Sequence, residues 1–235
     1  MQNQFSRTEL LIGEEGVYKL QNSHVAVFGI GGVGGYTVEA LARSGIGAID
    51  LIDNDVFSLS NLNRQIYATH STIGKYKVDA AKERISDINP ECKVKTYKTF
   101  LTPETSSKFD FSEYNYVVDA IDNVTGKIEL VMKCRKTGTP IISSMGTGNK
   151  LHPEMLEISD IYKTSVCPLA KVMRQELKKR GINKLKVVYS KESPIKTSVK
   201  DEKTGKSVPG SIAFVPSAAG LIIASEVVNA ILNAG

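Results

Sequence analysis

The sequence has few of the residues that build metal sites and nucleophilic pairs. Its 235 residues include three cysteines, three histidines and no tryptophan. Cys92, Cys134 and Cys167 are odd in number and form no C-x-x-C pair, so neither a disulfide framework nor a cysteine-ligated zinc site is expected. The histidines are scattered along the chain, and no cysteine–histidine arrangement for covalent catalysis is evident.

Long uninterrupted apolar runs are also missing. The opening residues, MQNQFSRTELL, contain no apolar segment of the kind found in signal peptides. The most apolar late run, residues 218–232, is interrupted by Ser225, Glu226 and Asn229, and it is too short and too polar to span a bilayer unaided. The net charge of +5 is mild and permits a nucleic-acid partner without requiring one. We therefore expect a soluble, cytoplasmic protein.

Short apolar segments alternate with helical segments. Strands are predicted at residues 24–28, 48–53, 94–97, 116–119 and 140–143, and helices at 34–44, 77–88 and 125–136. This alternation is typical of a Rossmann-like α/β fold with a doubly wound, mainly parallel sheet. We predict a single unit, with a nucleotide-binding part over about residues 20–148 and a C-terminal α/β extension over about 149–235 for substrate and dimer contacts.

A glycine motif follows the first predicted strand. Residues 29–34 read GIGGVG, which matches G-x-G-x-x-G between a strand and a helix. Gly29 permits a tight turn, Gly31 lets backbone N–H groups approach a phosphate, and Gly34 lets the helix pack against the strand. Asp53 ends the next predicted strand, where a carboxylate accepts hydrogen bonds from ribose hydroxyls. The pattern predicts a nucleotide site.

Cationic groups beyond the second strand favour ATP over a dinucleotide. Residues 53–65 read DNDVFSLSNLNRQ and include Arg64, and the segment GKYK adds Lys75 and Lys77 at a helix start. The helix N-terminus already holds the pyrophosphate of a dinucleotide. A triphosphate needs more positive charge before a carboxylate can attack it.

Two carboxylates, Asp119 and Asp122, end or follow the strand at residues 116–119. The carboxyl ends of parallel strands face the ligand crevice, and Mg²⁺ prefers oxygen ligands together with substrate phosphates. We predict that Asp122 binds Mg²⁺. For Asp119, a ligand role and a cap or turn role remain equally open.

The motifs GIGGVG, DNDVFSLSNLNRQ, GKYKV and DAIDN, in this order, resemble the ubiquitin-activating-type, ThiF-like adenylyltransferases. The resemblance implies a dimeric enzyme that uses ATP and Mg²⁺ to activate a carboxylate as an acyl-adenylate. It implies catalytic roles for Arg64, Lys77 and Asp122, and for Arg7, which resembles the arginine that family dimers insert into the partner subunit's site. The implied nucleotide contacts are Gly29, Gly31, Gly32, Gly34, Asp53, Asp55, Ser60, Asn61, Arg64, Gln65, Lys77, Asp122 and Asn123.

The second half of the chain resembles one branch of that family. The segments DIYKTSVCPLAKVMRQELKKRGI, VVYSKESP and PGSIAFVPSAAGLIIASEVV are similar to the tRNA threonylcarbamoyladenosine dehydratases, also described as cyclases. The branch adenylates the threonyl carboxylate of the modified adenosine beside the tRNA anticodon, and the acyl-adenylate then closes into a ring. Ring closure is intramolecular and needs no protein nucleophile. Some relatives carry Asp where this chain has Cys167. We interpret Cys167 as a helix cap, and a nucleophilic thiol with a lowered pKa at this helix start is the alternative left open.

Basic side chains in the second half are predicted to contact tRNA phosphates. Lys171, Arg174 and Lys178 lie at i, i+3 and i+7 on one helix face, for which an ordinary solvated face is the alternative. A further group of lysines occupies the following Lys-, Ser- and Gly-rich segment: Lys191, Lys196, Lys200, Lys203 and Lys206.

Other functions remain open from the sequence. Adenylation of the C-terminus of a ubiquitin-like or sulfur-carrier protein uses the same chemistry, and the lack of zinc pairs argues only weakly against it. An NAD-dependent oxidoreductase would leave Arg64, Lys77 and Asp122 without a role. A non-catalytic nucleotide-binding module is disfavoured because every part of the predicted site is present. A protein partner that relays sulfur also remains open.

Overall fold

The computed structural model describes residues 3–197, 199 and 208–234. Within these residues one seven-stranded sheet has the order β3-β2-β1-β4-β5-β7-β6, and only the edge strand β6 runs antiparallel to its neighbour. The strands are β1 His24–Phe28, β2 Ala48–Ile52, β3 Lys93–Tyr97, β4 Tyr116–Asp119, β5 Ile141–Ser144, β6 Leu156–Asp160 and β7 Lys186–Ser190. The helices are α1 Ser6–Gln21, α2 Gly34–Ser44, α3 Lys77–Ile88, α4 Val124–Thr137, α5 Pro168–Lys179 and α6 Phe214–Leu232.

The central strands are buried on both faces, as expected for a parallel sheet covered by helices. Every residue of β4 is buried, and so is every residue of β1 except His24. One face of β1 packs on an aromatic cluster in which Phe28 lies parallel to Phe111 with ring centroids 5.9 Å apart. This packing explains why β1 and β4 read as continuous apolar runs in the sequence.

Helix α6 packs against α2 in the core. A Cβ at Gly220 would lie 2.4 Å from the carbonyl oxygen of Val33, so only glycine allows the two helices to approach this closely. The Thr37 hydroxyl adds a hydrogen bond between the two helices by donating to the Gly220 carbonyl at 3.0 Å. By length and composition α6 is the one helix in the described residues that could cross a membrane, and packing within the fold accounts for its apolar sequence.

The predicted elements agree with the structure to within one or two residues. Outside these predicted elements, the structure adds α1, which begins at Ser6 and is kinked at Gly13 (φ 74°), and the antiparallel edge strand β6. Short 3-10 turns were not predicted because they are too short to carry a periodic pattern: Leu59–Asn61, Thr105–Lys108, Phe111–Glu113, Pro153–Met155 and Ile161–Lys163. The division of roles near residue 148 stays a prediction. The sheet continues across this boundary, since β7 hydrogen-bonds directly to β5.

A buried ion pair joins β4, β5 and α4. Lys127 on α4 is fully buried, and its Nζ donates to Asp119 Oδ1 at 3.0 Å and to the Ser144 carbonyl at 2.8 Å. Asp119 is also fully buried and accepts a long hydrogen bond from the Ile121 N–H at 3.3 Å. The sequence left a ligand role and a cap or turn role open for Asp119. The structure favours a structural role over the ligand role.

We expect Lys127→Met to destabilise the fold by about 3–5 kcal/mol, because it leaves the Asp119 carboxylate buried without its cation. The double variant Asp119→Asn/Lys127→Met should be clearly more stable than Lys127→Met alone, since the uncompensated charge is gone. Urea unfolding of the two variants and the wild type measures this. A double variant that is as unstable as the single variant would show that the pair is not the source of the loss.

Candidate active site

The glycine turn lies at the point of the sheet where the chain direction switches. Strands β2 and β4 flank β1, and the loops that follow β1 and β4 diverge there and leave a crevice. Gly29 has φ 90°, and a Cβ on it would lie 2.6 Å from the carbonyl oxygen of Ala120. A Cβ on Gly34 would lie 1.8 Å from the carbonyl oxygen of Gly29. Both positions therefore require glycine.

Backbone donors at the start of α2 face this crevice. In the part of the chain that the structure describes, the N–H groups of Gly31, Gly32 and Val33 have no acceptor. They precede the N-terminus of α2, where the helix dipole also favours negative charge. The arrangement suits a phosphate group.

A cavity of about 440 Å³ opens at this turn. All the nucleotide contacts implied by the sequence line it except Gly34, which packs beneath the turn, and Ser60. The carbonyl of Ser60 instead accepts a hydrogen bond from Arg64 Nη1 at 2.9 Å. The predicted residues that line the cavity are Gly29, Gly31, Gly32, Asp53, Asp55, Asn61, Arg64, Gln65, Lys77, Asp122 and Asn123.

Asp53 and Lys77 form the charged floor of the cavity. Asp53 accepts hydrogen bonds from the N–H of Ile30 at 2.7 Å and of Asp55 at 2.8 Å, which fix the orientation of its carboxylate. Burial raises the pKa of Asp53, and the nearby Lys77 partly offsets this effect. Lys77 is itself 6% exposed, and its Nζ lies 2.7 Å from Asp55 and 4.0 Å from Asp53. A cation is therefore held in place before any phosphate binds.

Arg64 and Gln65 lie opposite the glycine turn. Arg64 donates to the Ser60 carbonyl and the Asn63 amide, and among the described residues it has no carboxylate partner. The side-chain oxygen of Gln65 is buried and has no hydrogen-bond partner in the described part of the chain. A buried polar atom without a partner normally indicates an absent ligand or water. The Arg64 guanidinium fits a polyphosphate ligand, whereas the Gln65 oxygen is an acceptor and fits a donor such as a hydroxyl group or a water.

The Asp122 carboxylate is free to bind a ligand. It is exposed, lines the cavity, and has no hydrogen bond or ion pair among the described residues. Those residues include no cluster of three or more His, Cys, Asp or Glu side chains that could hold a metal by themselves. One free carboxylate beside a phosphate site is the usual setting for Mg²⁺ that enters with a nucleotide. The residues present therefore fit Mg²⁺ shared between Asp122 and ATP.

Some residues lining the cavity were missed in the sequence. Thr99, Phe100 and Leu101 follow β3, and Asn54 follows β2. The available signal was their position just beyond the carboxyl ends of two neighbouring parallel strands, where ligands bind. Phe100 is 53% exposed, which leaves an apolar surface beside the cavity.

Arg7 is not part of this group within one subunit. It is exposed on α1 and does not line the cavity. The neighbouring Phe5 packs against Gly45, which caps the C-terminal end of α2, whereas the cavity lies at the N-terminal end of α2. A role for Arg7 in catalysis therefore requires a second subunit.

The predicted basic face of α5 is only partly available. Lys171 and Lys178 are exposed, but Arg174 is half-buried and donates to the Thr164 carbonyl at 3.1 Å. Lys191 pairs with Glu157 at 2.5 Å. Lys200, Lys203 and Lys206 lie outside the described residues.

Cys167 is the N-cap residue of α5, as the sequence indicated, although its side chain makes no capping hydrogen bond. It is buried, as are the other two cysteines. Burial raises the pKa of Cys92 to about 11 and also raises the pKa of Cys134. These two thiols are therefore poor nucleophiles at neutral pH.

Comparisons with known proteins agree with this geometry. A model of the ThiF family matches residues 5–235. The tRNA threonylcarbamoyladenosine dehydratase of Bacillus subtilis (strain 168) is 49% identical over 244 residues, which cover 99% of this chain and 96% of that protein. The Escherichia coli (strain K12) protein of the same name is 41% identical, and the match covers 74% of this chain and 65% of that protein.

Solved structures of a tRNA threonylcarbamoyladenosine dehydratase also superpose closely on this chain. The crystal structure of the E. coli tRNA N6-threonylcarbamoyladenosine dehydratase in complex with ATP superposes with a TM-score of 0.88 at 34% identity, covering 97% of this chain and 93% of that chain. The complex of the E. coli protein with AMP gives a TM-score of 0.89 at 33% identity, with 97% and 94% coverage. The Rossmann-like α/β fold expected from the sequence is thereby confirmed.

We expect Asp122→Ala to reduce turnover by at least about 100-fold, because it removes the carboxylate that, among the described residues, lies free beside the phosphate site. Its stability should stay within about 0.5 kcal/mol of the wild type, since this exposed side chain has no partner to lose. Steady-state kinetics and urea unfolding measure both, with the exposed Asp87→Ala on α3 as the matched control. Near-normal turnover in a folded Asp122→Ala variant would remove Asp122 from the mechanism.

Proposed function

This chain belongs to the ThiF family, and we propose that it dehydrates threonylcarbamoyladenosine in tRNA at the expense of ATP. The observation that carries the proposal is the extent of the similarity to the B. subtilis dehydratase, which covers 99% of this chain and 96% of that protein. The similarity thus includes the C-terminal part of the chain as well as the glycine turn. The cavity also supplies backbone donors without acceptors among the described residues, the Arg64 guanidinium without a carboxylate partner there, and the Lys77 ammonium for the phosphates of ATP.

In the first step the threonyl carboxylate attacks the α-phosphorus of ATP and pyrophosphate leaves. The free N–H groups before α2 and the Arg64 guanidinium neutralise the charge that builds up on the phosphates. Lys77 adds a buried ammonium, and Asn61 and Asp53 line the same cavity to orient the nucleotide. Mg²⁺ held at Asp122 would supply further positive charge at the phosphates.

In the second step an atom of the same threonylcarbamoyl side chain attacks the activated carbonyl. The ring closes, a proton is released, and AMP leaves with one oxygen of the original carboxylate, so the net change is loss of water. Reaction within one bound side chain gains a high effective concentration and needs no covalent enzyme intermediate. The burial of Cys92 and Cys134 agrees with this, and the proposal assigns no role to a sulfur relay or to Cys167, which is buried but lines a cavity beside the nucleotide cavity.

The proposed function predicts pyrophosphate exchange that depends on the tRNA modification. Labelled pyrophosphate should enter ATP, and AMP should be released, with tRNA that carries threonylcarbamoyladenosine and not with unmodified tRNA. The unmodified tRNA is the matched control for RNA binding alone. Exchange that ignores the modification but responds to the C-terminus of a small carrier protein would favour the alternative, adenylation of a protein.

We also propose that the enzyme is a homodimer in which Arg7 completes the site of the partner subunit. Arg7 lies on the same face of α1 as Leu10 and Leu11, at i+3 and i+4, and both leucines are 87% exposed. Exposed neighbouring leucines are typical of a surface that a second subunit covers. In this position Arg7 would neutralise departing pyrophosphate, a role suited to a guanidinium group.

Mixing two inactive variants tests this arrangement. Arg7→Ala and Asp122→Ala should each be nearly inactive alone. After subunit exchange the Arg7→Ala subunit keeps its own Asp122 and receives Arg7 from its partner, so one site of each mixed dimer is whole and activity returns. Verified exchange without any activity would place Arg7 outside the partner's site. Sedimentation of Arg7→Ala separates a loss of catalysis from a loss of the dimer.

A further inference from the structure

A second cavity adjoins the nucleotide cavity. Its volume is about 410 Å³. The two cavities share a wall that includes Arg64, Asp122 and Thr147, so a group that reaches through this wall from the second cavity meets the phosphate site. The second cavity is therefore placed to hold whatever reacts with ATP.

The walls of this cavity are built by specific hydrogen bonds. Asn149, in the left-handed conformation with φ 60°, exchanges two bonds with Gly210: its N–H donates to the Gly210 carbonyl at 2.8 Å, and its Oδ1 accepts from the Gly210 N–H at 2.6 Å. Its carbonyl accepts from the Ile195 N–H at 2.8 Å. A non-glycine residue held at positive φ marks a position that the surrounding structure enforces, and such positions cluster at ligand sites.

Lys150 brings a buried positive charge to the cavity. It is 4% exposed and lines the cavity, and its Nζ donates to the Glu192 carbonyl at 2.8 Å. No carboxylate among the described residues lies within ion-pair distance of it, because the Glu192 carboxylate accepts instead from the N–H groups of Leu151 and His152. An ammonium group has three donors, so two remain for a ligand.

The surroundings of Lys150 favour an anionic ligand. Burial lowers the pKa of Lys150, the nearby Cys167 and Glu192 partly offset this effect, and a bound anion would further favour the charged form. The N-terminus of α5 also faces this cavity through Pro168 and Leu169. The apolar remainder of the wall, which includes Met145 and Pro194, suits a short aliphatic group.

We propose that the second cavity binds the threonylcarbamoyl side chain of the tRNA substrate and that Lys150 pairs with its carboxylate. The inference rests on the proposed function and adds a specificity residue to it. The carboxylate is the charged group that distinguishes the modified adenosine from an unmodified one. Burying a carboxylate without a cation is costly, so Lys150 allows this side chain to enter. A substrate carboxylate paired with Lys150 would face the shared wall. The nucleotide cavity, which would hold the α-phosphate of ATP, lies on the other side of that wall.

The test is a double-mutant cycle between Lys150 and the RNA modification. Fluorescence anisotropy measures the affinity of each protein for an anticodon stem-loop with and without the threonylcarbamoyl group. Lys150→Gln removes the charge but keeps a donor for the Glu192 carbonyl, and Lys150→Arg keeps the charge. Lys184→Met, an exposed lysine before β7 at the opposite end of the sheet, is the matched control.

We expect the wild type and Lys184→Met to prefer the modified stem-loop, and Lys150→Gln to lose about 10- to 100-fold of that preference, the usual strength of a charge-assisted hydrogen bond. Affinity for the unmodified stem-loop and for Mg-ATP should not change. Lys150→Arg should keep part of the preference. An unchanged preference in Lys150→Gln, or an equal loss for both RNAs, overturns the role of Lys150.

A change in the substrate gives the same test without relying on the folding of a variant. A stem-loop whose threonyl carboxylate is converted to the neutral amide should bind the wild type like the unmodified RNA. Binding as tight as that of the carboxylate form would contradict an ion pair with Lys150. Pyrophosphate exchange is measured separately with the wild type and with Lys150→Gln. Exchange that depends on the modification but is unchanged in Lys150→Gln leaves the proposed function standing and rejects this inference alone.

Discussion

The close contact between the Gly29 turn and the backbone of Ala120 positions the rest of the site. A Cβ at Gly29 would lie 2.6 Å from the Ala120 carbonyl oxygen, so the ends of β1 and β4 can meet only because residue 29 is glycine. This contact brings the free N–H groups that precede α2 next to the loop that carries Asp122. Below it the buried Asp119–Lys127 pair fixes the end of β4 against β5. The phosphate donors and the carboxylate therefore face each other on a rigid base.

Positive charge around this contact is arranged before the ligand arrives. Lys77 is held by Asp55, Arg64 is held by neutral oxygens, and Lys150 has a backbone carbonyl as its one acceptor within the described part of the chain. Fixed charges of this kind stabilise developing negative charge without having to reorganise during the reaction. Under the proposed function the cations have different tasks: Lys77 would bind the nucleotide and Lys150 the substrate carboxylate, while Arg64 lies in the wall between the two cavities.

Much of this could be predicted from the sequence, because the strands, the glycine turn and Asp122 depend on local patterns. The cations Arg64 and Lys77 were predicted because both follow β2, at the edge of the sheet where ligands bind. Lys150 was not found, since no local pattern indicates that a lysine in a loop is buried. The basic face of α5 is less exposed than predicted, because helical periodicity does not reveal that Arg174 donates a hydrogen bond to the Thr164 carbonyl. The reversed direction of β6 is likewise set by tertiary packing.

Attack of the substrate carboxylate on ATP can be followed by oxygen-isotope transfer. The modified tRNA would carry ¹⁸O in both oxygens of the threonyl carboxylate, and the released AMP would be analysed by mass spectrometry after a single turnover. We expect one ¹⁸O atom in the phosphate of each AMP, because an acyl-adenylate passes that oxygen to its leaving group. Unlabelled AMP formed together with cyclised product would contradict activation of the carboxylate as an adenylate.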